Sequence, residues 1–152
     1  MVKYIHYGSS AFFPEKFRKV ENVDIGGNKP RGGLWASRVD AKYGWANWCN
    51  DINVFSAMFK RSFQFTLSNN AKILEIHCME DLSELPKRKN FWSPLMISKI
   101  FPDFEKMMDD GIDAVELFLS DDEDLFYGLY GWDCDSILIM NPEIIITEEG
   151  RD

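Results

Sequence analysis

Residues 137–140, Ile-Leu-Ile-Met, form an unbroken apolar run that starts two residues after Asp135 and stops at Asn141-Pro142. Four residues are too few for a helix to bury one face, and the run has no polar position to turn toward water. It therefore reads as a buried strand. A buried strand needs partners, and the chain offers several short ones. Residues 2–6 open with a strand that Gly8-Ser9-Ser10 break, and Leu34-Trp35-Ala36-Ser37 reads as a second. Phe63 to Leu67 and Ala71 to Cys78 alternate apolar and polar positions, with Asn69-Asn70 between them suggesting a hairpin turn. Ala114 to Leu119 and Glu143 to Thr147 complete the set.

Helices cluster between these strands. Residues 14–22 hold at most a helical turn or two, and residues 40–50 a helix or tight loop. Asp81 to Leu85 and Pro102 to Met108 are helix candidates, the second with Pro in its first turn and Asp110-Gly111 as its stop. Gly26 to Gly33 reads as a flexible polar connector, Ser120 to Asp124 as a solvated acidic turn, and Glu148 to Asp152 as a frayed tail. Six or more short strands with helices clustered between them indicate an α+β fold, not a doubly wound sheet. No repeat or linker divides residues 1–152, so one domain is expected.

The net charge is −8, which argues against broad binding to nucleic-acid backbones. The one cationic run, Lys87-Arg88-Lys89, reads as a solvated loop. No apolar stretch suits a membrane span, and the N-terminus lacks the apolar region of a signal peptide. Cys49, Cys78 and Cys134 are odd in number and far apart, with no CxxC pair. Neither a metal site nor a disulfide framework is indicated, and a reducing cytoplasm is the expected compartment.

Three segments put polar or aromatic groups at strand ends. His6-Tyr7-Gly8-Ser9 closes the first strand, which is also what a plain turn would look like. Gly32-Gly33-Leu34-Trp35-Ala36-Ser37 joins glycines, which admit close backbone approach, to an indole, and Tyr43, Trp45 and Trp48 follow. Those tryptophans could equally be core. Tyr130-Gly131-Trp132-Asp133-Cys134-Asp135 leads into the apolar strand. Two acids two positions apart share a face of an extended chain, and a buried one needs a partner; both could also be solvated loop carboxylates.

In order and spacing, these segments resemble the ADP-ribosyltransferase superfamily, and within it the His-Tyr-Glu branch of diphtheria-type toxins and poly-ADP-ribose polymerases. The resemblance runs from residue 4 to residue 146. It implies a split β-sandwich of two short, mostly antiparallel sheets with flanking helices, and NAD⁺ as substrate with no metal. His6 matches the histidine that binds the adenosine ribose. Tyr7 matches the residue whose backbone contacts the nicotinamide carboxamide, with Gly8 one place later. Trp35 stands where the family usually has the stacking Tyr. Trp48, with Tyr43 as substitute, matches the second aromatic, and Ser37 the small hydroxyl near the carboxamide. Asp135 matches the catalytic glutamate, one methylene shorter, and Asp133 a second acid that orients the acceptor.

The chemistry suits these residue types. Nicotinamide in NAD⁺ is a flat cation, which ring faces attract. Its departure leaves an oxocarbenium-like centre that a carboxylate stabilises. The resemblance therefore implies a mono-ADP-ribosyltransferase acting on a macromolecular acceptor, a protein more readily than a nucleic acid. Such a compact domain would suit a bacterial or phage toxin or anti-defence effector. A catalytically inactive NAD⁺ or ADP-ribose binder, an interaction module and an NAD⁺ glycohydrolase remain open alternatives.

Overall fold

A computed structural model of the chain describes residues 1–23, 28–54, 57–88, 101–129 and 131–148. Among them are seven strands: β1 (Tyr4–Tyr7), β2 (Leu34–Arg38), β3 (Ser62–Leu67), β4 (Ile73–Ile76), β5 (Ala114–Leu117), β6 (Ser136–Ile139) and β7 (Ile145–Ile146). Four helices accompany them: α1 (Trp45–Asp51), α2 (Met79–Glu84), α3 (Phe104–Asp109) and α4 (Leu125–Gly128). The sheet runs β4-β5-β6-β2-β1-β3-β7. All neighbours are antiparallel except β4 and β5, which are parallel. The α+β class and the mostly antiparallel pairing agree with the sequence, but the strands make one continuous order in place of two separate sheets.

The apolar run lies at the centre. Ile137, Leu138 and Ile139 are wholly buried, because β6 is covered on both faces. Leu138 and Met140 join Val115 and Leu117 of β5 in one cluster, closed by Leu82 of α2, Phe104 and Met107 of α3, and Leu125 of α4. Ile137, Ile139 and Ala114 point the other way and meet Tyr4, Phe65 and Leu67. Ile73 of β4 and Ile145 of β7 pack against this same cluster, so strands at both ends of the order share it, which a flat sheet could not allow. The hydrogen bond from the Tyr4 hydroxyl on β1 to Glu116 on β5, at 3.1 Å, measures the same curl. Burying each of these large aliphatic side chains contributes about 1.5–3 kcal/mol.

Side-chain caps and a glycine turn complete several helix ends. The Asp103 carboxylate accepts the Lys106 amide at 3.0 Å and caps α3, so Pro102 lies before the helix and not in its first turn. Gly111, at φ +83°, turns the chain out of α3. The Asp122 carboxylate accepts the Met79 amide at the start of α2.

Several expectations need correcting. Residues 69–70 do form a turn, but it joins no hairpin: β3 pairs with β1 and β7, while β4 pairs in parallel with β5. Residues 14–22 hold a single 3₁₀ turn, Pro14–Lys16. Pro142 starts another 3₁₀ turn, which shortens the last strand to Ile145–Ile146. The connector is anchored over its described part: Asn28 and Pro30 are buried, and Glu21 and Arg31 pair through both backbone groups at 3.1 and 3.0 Å. Gly33, at φ +71°, packs so closely that an added Cβ would lie 2.6 Å from Leu138 Cδ1. Within the cationic run, Lys87 is exposed as expected, while Arg88 donates its amide to the Phe101 carbonyl at 2.8 Å. Gly26, Gly27, Lys89, Trp92, Tyr130 and residues 149–152 lie outside the described residues.

Candidate functional site

The β1–β2 ladder is short. It pairs Tyr4 with Arg38 and Ile5 with Ser37, then stops. Beyond it β1 stays with β3 as far as Tyr7 opposite Ser62, whereas β2 follows β6 through Ala36, Trp35 and Leu34. The two strands part company, and a cleft of about 220 Å³ opens where they diverge. His6 bridges its root: Nδ1 lies 2.7 Å from the Trp35 carbonyl oxygen. A carbonyl only accepts, so Nδ1 carries a proton, and in the neutral tautomer with that proton Nε2 is the acceptor.

The ladder also aims backbone groups at the cleft. The Gly8 amide bonds to Arg61 on the β3 side at 2.9 Å, and Lys3 accepts from Val39 on the β2 side at 2.9 Å. Since backbone groups alternate sides along a strand, Tyr7 directs its N–H and C=O toward β2, past the point where the β1–β2 ladder ends.

Three indoles wall the cleft. Trp35 meets the buried Trp132 edge-on, with ring centroids 4.8 Å apart. Trp132 Nε1–H donates to the Asn28 carbonyl at 2.8 Å, which fixes its ring. Trp45 forms another wall, and Trp48 stacks behind it at 5.0 Å and 23°. The Lys29 ammonium sits 5.0 Å from the centroid of the Trp35 ring. The volume is below the roughly 300–1,000 Å³ of pockets that enclose a whole drug-sized ligand. It suits a single ring, with the rest of a larger ligand lying outside.

Of the residues singled out from the sequence, His6, Tyr7, Trp35 and Ser37 come together in this cleft. Others do not. Gly8 turns the chain at φ +112° and is absent from the lining. Trp48 is a second layer, and Trp45 takes the place expected of it. Tyr43 also stays out: its hydroxyl bonds to Asp51, which holds the phenol protonated, its pKa pushed up to about 12. The Ser37 hydroxyl is already engaged, donating to the Asp135 carbonyl at 2.9 Å and accepting the Trp45 amide at 3.1 Å at the start of α1.

Asp135 departs most from expectation. Side chains alternate across an extended segment, so Cys134 and Ser136 face the cleft while Asp135 faces an adjoining cavity of about 250 Å³. It is 7 % exposed. Its Oδ1 accepts the Ser120 amide at 2.9 Å, and Oδ2 accepts the Ser120 hydroxyl at 2.7 Å and the Tyr43 amide at 3.3 Å. The Ser120–Asp124 segment is therefore fastened to β6 and is no free turn. Asp133 is different: it is half-buried at φ +62° and forms no hydrogen bond or ion pair among the described residues. Its sequence neighbours Trp132 and Cys134 line the cleft, whereas Asp133 is absent from the lining. The Cys134 thiol is pushed up to about 12, chiefly by burial, which keeps it protonated and poorly nucleophilic.

The adjoining cavity holds a group that sequence reasoning missed. Arg38 Nε and Nη2 grip the buried Glu116 carboxylate at 2.7 and 3.0 Å. His77 lies against Phe118 at 4.0 Å and 7°, with Nδ1 2.8 Å from Asp121 and Nε2 3.1 Å from Glu75. A glutamate inside the otherwise apolar run 114–119 was the available signal, because a buried charge requires a partner. Among the described residues no three His, Cys, Asp or Glu side chains could hold a metal ion, and no helix is long and apolar enough to cross a membrane.

Comparison with protein-family models, with curated proteins and with solved structures gives no match.

Proposed function

We propose that the cleft between β1 and β2 binds the nicotinamide end of NAD⁺, and that the protein is an ADP-ribosyltransferase with a macromolecular acceptor. The observation that carries this reading is the Lys29 ammonium over the Trp35 ring, in a cleft that Tyr7, Trp45 and Trp132 also line. A ring face that attracts an ammonium attracts a pyridinium as well. Tyr7 would meet the carboxamide with its unladdered N–H and C=O, and His6 Nε2 would accept from a ribose hydroxyl. The finer resemblance to a split ADP-ribosyltransferase sandwich belongs to the same proposal: β1 and β2 separate at the histidine, and the acidic segment enters β6 beside them.

In the reaction, the bond from the ribose C1′ to the nicotinamide nitrogen breaks. Nicotinamide leaves with the electron pair, and an acceptor nucleophile bonds to C1′ and gives up its proton. A carboxylate near C1′ stabilises the positive charge that develops. Asp133 does not line the cleft, but it follows Trp132, which does, and has no protein partner among the described residues to give up, so it is the candidate we assign to direct contact once a ligand is bound. Asp135 then acts behind it as a positioning residue that fastens residues 119–121 and Tyr43 to β6. The test is incubation with NAD⁺ and candidate acceptors, read by intact mass. An added ADP-ribose that Asp133→Asn abolishes supports this reading; transfer unchanged by Asp133→Asn overturns the assignment.

A second reading is favoured by one observation: the acid that matches the family's catalytic residue is buried and held by three donors. In that reading the domain binds NAD⁺ and transfers nothing. NAD⁺ binding without nicotinamide release, with or without acceptors, would establish it; release without any acceptor would instead indicate a glycohydrolase.

A further inference from the structure

The Lys29 ammonium is a cation inside a cleft that, on the reading above, awaits another cation. It lies 5.0 Å from the centroid of the Trp35 ring and lines the same cavity as His6 and Tyr7. It forms no ion pair among the described residues, so the ring face is the partner the structure gives it. The backbone on both sides is anchored. Asn28, 2 % exposed, donates Nδ2–H to the Gly128 carbonyl at 3.2 Å and accepts from Trp132 at 2.8 Å. Arg31 is paired with Glu21. Lys29 itself is exposed. A fixed backbone thus carries an exposed side chain whose charged end rests on an aromatic face.

We propose that Lys29 is the specificity-determining residue of the cleft, and that it selects a cationic ring covalently joined to an anionic group over either part alone. Two like charges cannot share one ring face, so a pyridinium that stacks on Trp35 must expel the ammonium. A neutral ring must displace it too and gains no charge attraction in return. Only a ligand that also carries phosphates offers the expelled ammonium a better partner than the one it left. The cleft therefore favours NAD⁺ over free nicotinamide, with Lys29 moving from Trp35 to the pyrophosphate as the ligand enters. Unliganded, Lys29 blocks the ring site against small neutral aromatics. This inference rests on the NAD⁺ reading of the cleft.

Calorimetric titration of the full chain with NAD⁺ and with nicotinamide, for the native protein, Lys29→Met and Lys29→Arg, separates the two ideas. Lys29→Met should unfold at the native temperature, since the side chain is exposed. It is expected to weaken NAD⁺ about tenfold, roughly the loss of one charge-assisted contact, and to strengthen nicotinamide about threefold. Lys29→Arg should restore most of the NAD⁺ affinity. If Lys29→Met shifts both ligands in the same direction, or leaves NAD⁺ unchanged, the role of Lys29 is overturned while the cleft remains an NAD⁺ site. If the native protein binds neither ligand, the NAD⁺ reading fails and this inference falls with it.

Discussion

Ser120 grips the Asp135 carboxylate twice, through its amide at 2.9 Å and its hydroxyl at 2.7 Å. The contact spans 15 residues and ties the segment after β5 to the start of β6. An asparagine could keep its oxygen toward Ser120 Oγ and the Tyr43 amide, but its NH₂ group would then oppose the Ser120 amide, donor against donor. Asp135→Asn should therefore destabilise the fold by about 1–3 kcal/mol, measured by urea unfolding. A near-isosteric, silent replacement would show that the Ser120 contacts contribute little.

Glu116 is the second buried carboxylate, gripped by Arg38 at 2.7 and 3.0 Å and by the Tyr4 hydroxyl at 3.1 Å. Its side chain is 4 % exposed, and that of Arg38 is 28 % exposed. Removing one partner of a buried pair leaves the other charge uncompensated. Because Arg38 retains some access to water, Glu116→Gln is expected to cost about 2–4 kcal/mol, toward the lower end for such pairs. Arg38→Met combined with Glu116→Gln should cost less than the sum of the single changes. Additive losses in urea unfolding would mean that the two groups do not depend on each other.

His77 makes stability depend on pH. Its hydrogen bond to Asp121, and then that to Glu75, raise the imidazole above its ordinary value of 6.5. A raised folded-state value means the charged imidazole favours the folded protein. The contribution is complete below about pH 6.5 and is lost as pH rises through the folded-state value. Solvent screens the pair, since the His77 side chain is 43 % exposed, so the effect is small. Urea midpoints should fall modestly from about pH 6.5 upward in the native protein, and His77→Gln should flatten that slope. A slope that persists in His77→Gln would assign it to another group.

Much of the strand content was legible in the sequence, because alternation and the apolar run 137–140 are local signals. The pairing was not. Asn69-Asn70 reads as a hairpin turn, yet the chain after it crosses to the far edge of the sheet, and β4 finds its partner 41 residues away at β5. Nothing local encodes that choice; it follows from burying β6 on both faces. In the site, His6, Tyr7, Trp35 and Ser37 could be placed together because each lies on a strand of the ladder that ends there. Trp45 was passed over for Trp48, since helix register decides which indole faces inward. Lys29 was hidden in a stretch that composition marks as a connector, and Asp135 was turned away from the cleft by a one-residue alternation that no motif reveals.

The two stacked tryptophans of α1 should separate cleanly in function. Trp45 lines the cleft, and Trp48 lies behind it. Trp45→Leu should weaken NAD⁺ about tenfold, as expected for losing an aromatic contact to a cationic ring, and Trp48→Leu about threefold or less. Fluorescence titration with NAD⁺ reads both. A larger effect from Trp48 would restore the original assignment of the second aromatic wall.

The most direct test of the NAD⁺ cleft is a ¹H–¹⁵N correlation spectrum of the native protein titrated with NAD⁺. Binding where β1 and β2 diverge should shift the Tyr7 amide and the indole Nε1–H signals of Trp35 and Trp45 together, saturably, along one binding curve. Amides of Ile73 to Ile76, at the far edge of the sheet, should stay in place. An unchanged spectrum at millimolar NAD⁺, or shifts confined to that far edge, would contradict the account.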